Sequence, residues 1–314
     1  MSIPSQEQIQ SSWEDFPVPR VSICCTTYNH QDYIEEALKG FLIQTTNFPF
    51  EIIIHDDAST DNTLKILNKY KDAYPELIHL ITQDTNQYSQ GKKIEQFAWF
   101  AARGDYIAIC EGDDYWISKN KLQIQFDALE NANDVDLCFH DHFNLDVSGK
   151  LTPSLIHLNR TQTVFGLHEI LKSDGSFMAT ASLMIKAKVL KNLPDWYAAT
   201  PVSDFFTQAL GSLNGALYLP EKICVYRVMA PNSWTYNFKA MSPSELKNYY
   251  YAQDKSIEDL GNFLSDEYFK GINYRRFMTD MSAIKNSCFR IKSLSLLFYY
   301  IPKSIYSLAR YLKS

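Results

Sequence analysis

Several familiar devices are missing from this 314-residue sequence. No apolar run reaches the ~18 residues needed to span a bilayer, so an integral membrane protein is not expected. The opening MSIPSQEQIQSSWEDFPVP lacks a basic stretch followed by an apolar one; no secretory leader is read there, and a cytoplasmic location is expected. Cysteines at 24, 25, 110, 138, 224 and 288 show neither CxxC pairing nor zinc-type spacing with histidine. Several lie inside apolar runs, where a thiol acts as a small hydrophobe, so reduced structural cysteines are expected. Low-complexity tracts and long repeats are absent as well. A formal net charge of −6 and a pI near 5.7 argue against nucleic acid as a partner.

What is present is a rhythm. With 46% hydrophobic and 21% charged residues the chain can bury a large core. VSICC at 21–25 is followed by polar TTYNH and then by IEEALKGFLIQ at helical spacing. EIIIHDDASTDNTLKILNKY repeats the order: buried strand, loop of Asp and Ser, amphipathic helix. LIHLITQ at 77–83 and GDYIAIC at 104–110 supply two more strands around the helix of KKIEQFAWFAAR. Strands alternating with helices predict a parallel sheet with right-handed crossovers, whose ligands bind outside the carboxyl ends of the strands. TTYN, HDDASTD and EGDD all fall at such ends and can meet in one crevice.

EGDDYW, at 111–116, raises a question of charge. Glu111, Asp113 and Asp114 end an apolar strand, where like charges are costly unless a cation or tight hydrogen bonding compensates. Alone, the stretch reads as an acidic turn before a helix, with Ser118 as a cap. Gathered with two other polar strand ends, it reads as a site.

Beyond residue 130, VDLCFHDHFNLD, TASLMIKAKVL and GALYLPEKICVYRV read as strands, with PVSDFFTQALGSL as a helix among them. From about 240 the spacing is helical. The expected organisation is an N-terminal arm over 1–17, an α/β domain over 18–238 and a helical C-terminal extension over 239–314.

The ordered set VSICCTTYNHQDYIEEALKGFLIQ, EIIIHDDASTDNT and GDYIAICEGDDYW, with a downstream Asp204 and VYR at 225–227, resembles the family 2 glycosyltransferases. The likeness runs over roughly 18–235. It implies an α/β chain of the GT-A fold, with a Rossmann-like, mainly parallel central sheet and flanking helices. It also implies inverting transfer of a sugar from a nucleotide-diphosphate sugar, often a UDP-sugar, to a hydroxyl of a saccharide or lipid-linked saccharide in bacterial surface polysaccharide synthesis. A rival reading keeps the fold as a non-catalytic nucleotide-sugar-binding protein. Two other enzyme classes are disfavoured: TTYNHQ replaces the GxGxxG of a dinucleotide-dependent oxidoreductase, and no Gly-rich basic loop of a nucleotidyltransferase is visible.

The resemblance also implies roles. Where relatives carry aspartate, any residue, aspartate, this chain has Glu111, Gly112 and Asp113; Asp113 is assigned to Mn²⁺ or Mg²⁺ and Glu111 to the nucleotide, with Asp114 able to assist or to cap the next turn. Oxygen ligands suit a cation that neutralises a diphosphate leaving group. Thr27, Tyr28 and Asn29 are assigned to the nucleotide, with Tyr28 against base or ribose. Either Asp56 or Asp57 can accept the uracil N3 hydrogen. Arg103 is a candidate for base or phosphate, or equally a helix C-terminal arginine. Arg227 is a candidate clamp on the diphosphate, or a structural ion pair. Asp204 is the candidate base that takes the acceptor's proton, with helix capping as its alternative.

His140 and His142 share one face of a strand but have no third ligand at recognisable spacing, so a metal site is discounted there; His140 and Trp234 are kept as weak acceptor-region candidates. After Asp280 no acidic residue occurs, whereas Lys285, Arg290, Lys292, Lys303, Arg310 and Lys313 are basic. LLFYYIPKSIYSLARYL among them fits an interfacial helix, broken near Pro302, resting on the inner face of the plasma membrane. Packing on the catalytic domain or a homodimer contact fits the same composition.

Overall fold

The computed structural model describes residues 3–132, 134–156, 160–231, 233–286 and 294–313, the last without the side chains of 294–298. Cys288, Arg290 and Lys292 lie outside the described residues. The chain forms two compact units: the first comprises Met1–Phe165, Met178–Leu193 and Gly211–Ala230, the second Gly166–Phe177, Pro194–Leu210 and Pro231–Ser314.

The first unit holds all the described strands. In chain order they are β1 (Val21–Thr27), β2 (Phe50–Asp56), β3 (Ile78–Thr82), β4 (Tyr106–Ile109), β5 (Tyr115–Trp116), β6 (Leu137–Leu145), β7 (Leu151–Pro153), β8 (Thr163–Phe165), β9 (Met184–Lys186) and β10 (Ala216–Arg227). The sheet order is β3-β2-β1-β4-β9-β6-β10-β5, with β7 on β6 and β8 on β10. The half β3-β2-β1-β4 is parallel throughout, in a register that sets Thr27 beside Asp56 and Asp56 beside Thr82. Next to it β9 runs antiparallel to both β4 and β6, while β6 and β10 are parallel to each other. The sheet is therefore mixed, its parallel character concentrated where the βα alternation was read.

Helices α1 (Gln6–Gln10), α2 (Ile34–Leu42), α3 (Thr63–Ala73), α4 (Glu95–Ala101) and α5 (Lys121–Asn131) flank this sheet. On α2, Ile34, Ala37, Leu38, Phe41 and Leu42 are fully buried, the spacing of one helical stripe. β2 is buried along its whole length, as expected of a strand covered on both faces. The arm is not loose: Ser5 and Gln8 form a capping box, Ile9 is buried, and the Tyr74 hydroxyl donates to the Pro4 carbonyl at 2.9 Å. Five cysteines, 24, 25, 110, 138 and 224, are buried free thiols, and burial pushes that of Cys138 up to about 12. TASLMIKAKVL departs from the strand read from its pattern. Only Met184–Lys186 is extended, and α7 (Ala187–Lys191) follows α6 (Leu167–Leu171) in chain order as the next helix. The reason is local: Lys186 and Lys188 both reach Asp136 at 3.1 Å, and Lys191 turns to the Ala102 carbonyl.

The second unit is helical: α6, most of α8 (Asp204–Gly211), α9 (Trp234–Ala240), α10 (Pro243–Phe263), α11 (Phe269–Asn286) and α12 (Leu294–Lys313). Ser242 caps α10 in a capping box with Glu245, ahead of Pro243. Leu246, Tyr250, Ala283 and Tyr300 form a shared core of α10, α11 and α12. α12 is not broken at Pro302; it continues through it. Buried side chains on both sides of the proline, Tyr300 before and Ser304 and Ser307 after, hold the two halves in line. No helix among the described residues is long and apolar enough to cross a membrane.

Candidate active site

Three loops leave the carboxyl edge of the parallel half and are tied together by their own polar groups. Asn29, after β1, has φ 55°, a left-handed conformation that asparagine tolerates. That turn lets its N–H donate to Ser59 Oγ at 2.9 Å while its Oδ1 accepts from the Thr60 N–H at 2.7 Å. Gln31 adds a second strap, donating to Asp61 and accepting from Asn62. Asn29 therefore joins the first loop to the second.

The two aspartates at the end of β2 are both buried and both engaged. Asp56 accepts the Ser59 hydroxyl at 2.5 Å and the Ser59 N–H at 3.1 Å. Asp57 accepts the Gln87 and Tyr88 N–H groups at 2.7 and 3.0 Å, fixing the loop after β3. Directly after them Ala58 stands at φ 63°, a conformation costly for a residue with Cβ and held by this surrounding set of bonds.

The EGDD segment closes the cluster. The Gly112 N–H donates to the Thr26 carbonyl at 2.9 Å, and a Cβ on Gly112 would lie 2.9 Å from Thr27 and from His30 Nδ1. Only glycine lets the acidic loop come this close to the end of β1. Glu111 and Asp113 stay partly exposed, whereas Asp114 is buried and accepts the Arg227 N–H at 2.8 Å. Asp114 thus anchors β10 rather than presenting itself outward. Tyr28, 36% exposed, stands at the same edge.

Two buried cationic side chains lie beyond the acidic loop, and one of them, Arg227, bonds to it. Arg227 is buried, its guanidinium between the rings of Tyr33 and Tyr115 at 4.9 and 4.7 Å and bonded to the Asp113 carbonyl and the Glu36 carboxylate. The other is Lys121, fully buried, with its ammonium 3.9 Å from the centre of the Trp116 ring and 2.6 Å from Gln125 Oε1. Burial pushes its pKa down to about 8. Lys121, Tyr33, Glu36, Tyr115 and His30 are the neighbours that sequence reasoning missed. His30 had a signal, since it follows TTYN directly. Its Nδ1 is buried without a hydrogen-bond partner, and burial lowers its pKa against the opposing pull of Asp113 and Asp61.

Two candidates fall elsewhere in this unit. Arg103 precedes β4 and so sits at the amino edge, where its backbone and guanidinium bind the buried Glu51 at 2.7 and 2.8 Å. A parallel strand carries its two ends to opposite edges, which removes Arg103 from the crevice. His140 is 1% exposed, its Nδ1 2.7 Å from the Asp141 carbonyl, and burial together with Lys121 keeps it neutral. It belongs to the core and not to an acceptor surface.

In the second unit, Asp204 is the exposed first residue of α8. The Ser203 carbonyl accepts the Thr207 N–H at 2.8 Å, so the capping position is Ser203 and Asp204 lies one residue inside the helix. Gly175, at φ 94°, packs against it: a Cβ there would be 3.2 Å from the Phe205 nitrogen and 3.4 Å from Asp204 Cβ. Trp234, 36% exposed, stacks on Phe238 at 4.9 Å.

Residues 22–193, more than half of the chain, match the profile described as glycosyl transferase family 2. The uncharacterized protein Rv1520 of Mycobacterium tuberculosis is 44% identical over 219 residues, which are 68% of this chain and 60% of that one. The chain thus spans about three-fifths of the length of the first curated relatives it matches. A UDP-Glc:alpha-D-GlcNAc-diphosphoundecaprenol beta-1,3-glucosyltransferase, WfaP, of Escherichia coli is 38% identical over 113 residues, 36% of this chain and 43% of that one. Among solved structures, S. aureus TarS 1–349 in complex with UDP-GlcNAc superposes with a TM-score of 0.67 at 18% identity, covering 92% of this chain and 81% of that one. That likeness shows the fold, which is GT-A.

Proposed function

The chain belongs to glycosyl transferase family 2, and from that premise we propose that it moves a sugar, with inversion, from a UDP-sugar to a hydroxyl of a saccharide or lipid-linked saccharide in bacterial surface polysaccharide synthesis. One observation carries the reading: the loops after β1, β2 and β4 are bonded to one another so that Thr27, Tyr28, Glu111 and Asp113 share one edge backed by Arg227. The diphosphoundecaprenol named for WfaP and the UDP-GlcNAc held by TarS support the classes of acceptor and donor.

Among the described residues, no group of three or more His, Cys, Asp or Glu is arranged to hold a metal ion. That donor set still fits Mn²⁺ or Mg²⁺. Such an ion is commonly held by one or two carboxylates together with substrate phosphates and water. Asp113 would hold it, with Glu111 beside the nucleotide, and the ion when bound would neutralise the diphosphate. Tyr28 offers an exposed ring to base or ribose. Asp56 and Asp57 set the loop that receives the base, and Arg227 steadies the acidic loop through the Asp113 carbonyl. Asp204 is proposed to take the acceptor's proton; its exposure at the first turn of α8 supports that role.

The test is calorimetric titration of UDP and UDP-sugars, with and without Mn²⁺, into the wild type and Asp113→Ala. Binding that requires both the ion and Asp113 is the expected result. Ion-independent binding of equal strength to both proteins overturns the assignment of Asp113.

A further inference from the structure

In the second unit α12 is fixed by one face and bare on the other. Its inner face carries Tyr300, Ser304 and Ser307, all buried. Lys303 pairs with Asp254 at 2.7 Å, and the Ser307 hydroxyl donates to the fully buried Asp280 at 2.8 Å. These bonds tie α12 to α10 and α11 and set its rotation. The opposite face then exposes Ile301 (45%), Ile305 (64%), Tyr306 (62%) and Leu312 (72%), with the exposed Lys313 at its margin, while Arg310 turns back over the Phe269 ring of α11 at 4.7 Å. Ile301, Ile305 and Leu312 fall on one stripe at helical spacing.

Charge distinguishes what could cover this stripe. The 34 residues after Asp280 carry six basic and no acidic side chains, formally +6, of which Lys303 is spent inward on Asp254. Because the whole chain is −6, the 280 residues before them carry −12. A second copy of α12 laid on the first would bring like charges together, whereas a surface of anionic headgroups over hydrocarbon suits both the apolar stripe and its basic margin. We propose that the exposed face of α12 is a docking surface for an anionic lipid bilayer, on which the helix lies in the interface without spanning it. The ion pair and hydrogen bond on the inner side present the stripe outward before any lipid is met.

The test is co-sedimentation of the full chain with vesicles of pure phosphatidylcholine and with vesicles of equal parts phosphatidylcholine and phosphatidylglycerol. The chain is expected to pellet with the anionic vesicles only, less so as salt is added. Ile305→Glu should lower that partitioning by about tenfold or more. Ile305 is 64% exposed, so its replacement should leave the melting curve unchanged, which separates lost docking from lost folding. Equal partitioning onto both vesicle types overturns the anionic assignment. Recovery in the supernatant throughout, with light scattering showing a dimer that Ile305→Glu splits, would make the stripe a contact between copies instead.

Discussion

The two edges of the parallel half-sheet are both rich in carboxylates and treat them in opposite ways. At the amino edge four carboxylates have cationic side chains as counterparts: Glu51 with Arg103, Asp105 and Glu130 with Arg20, and Asp136 with Lys186 and Lys188. Glu51 also accepts the Ser22 hydroxyl at 2.7 Å. At the carboxyl edge, about 17 Å away along β2, Asp56 and Asp57 are held by backbone N–H groups and a serine. Arg227 there addresses the carbonyl of Asp113 and leaves its carboxylate to other partners. Acid content therefore serves mainly ion pairs at one edge and mainly loop-fixing hydrogen bonds at the other.

The largest effect should come from breaking the carboxyl edge. Asp113→Ala is expected to lower glycosyl transfer by about 10³-fold or more, with little change in melting temperature, read by release of nucleoside diphosphate. Next, Asp204→Asn should slow turnover by about 10²- to 10³-fold while UDP affinity stays near wild type. Full activity in that variant would remove Asp204 from the chemistry.

The amino edge should answer in stability. Glu51→Ala strands the Ser22 hydroxyl and the Arg103 N–H and should cost about 3 kcal/mol in urea unfolding, with UDP affinity retained.

A buried carboxylate in the second unit sharpens the contrast. Burial raises Asp280 from 3.8 to about 6 despite Ser307 and Lys303. Its folded state binds a proton more tightly than its unfolded state. The stability this contributes is complete below about pH 4 and is lost as pH rises through about 6, a swing on the order of 2 kcal/mol. Subtracting the pH–stability curve of Asp280→Asn from that of the wild type should reveal this fall. Smallest of all, Arg103→Ala should change stability by about 1 kcal/mol or less, because that side chain is 56% exposed. It should leave donor affinity untouched.

That last expectation shows what the sequence could and could not convey. Period and polarity made the βα alternation visible through GDYIAIC, and Gly112, Thr27 and Asp113 were legible because they sit at strand ends whose meeting follows from topology. Arg103 was misplaced although the same topology places it: a residue between a helix and the next parallel strand lies at the amino edge. Pattern alone could not show that Asp114 turns inward to β10, a contact 113 residues along the chain, or that Lys121 is buried against Trp116, which depends on how a helix packs beside the sheet. His140 was ambiguous for a related reason. Alternation gives the face of a strand but not what covers that face. Pro302 was read as a break on propensity, and packing on both sides overrides it.

Arg227 lies 114 residues after the Asp113 carbonyl it binds. During synthesis the acidic loop emerges long before its guanidinium, and β10 must pair with β5 and β6 before the two can meet. The nascent chain therefore spends that interval with the Asp113 carbonyl lacking this donor and with nothing between the rings of Tyr33 and Tyr115. The carboxyl edge of the first unit is therefore completed late, and a chain cut short before residue 227 would have most of its strands but no guanidinium between Tyr33 and Tyr115.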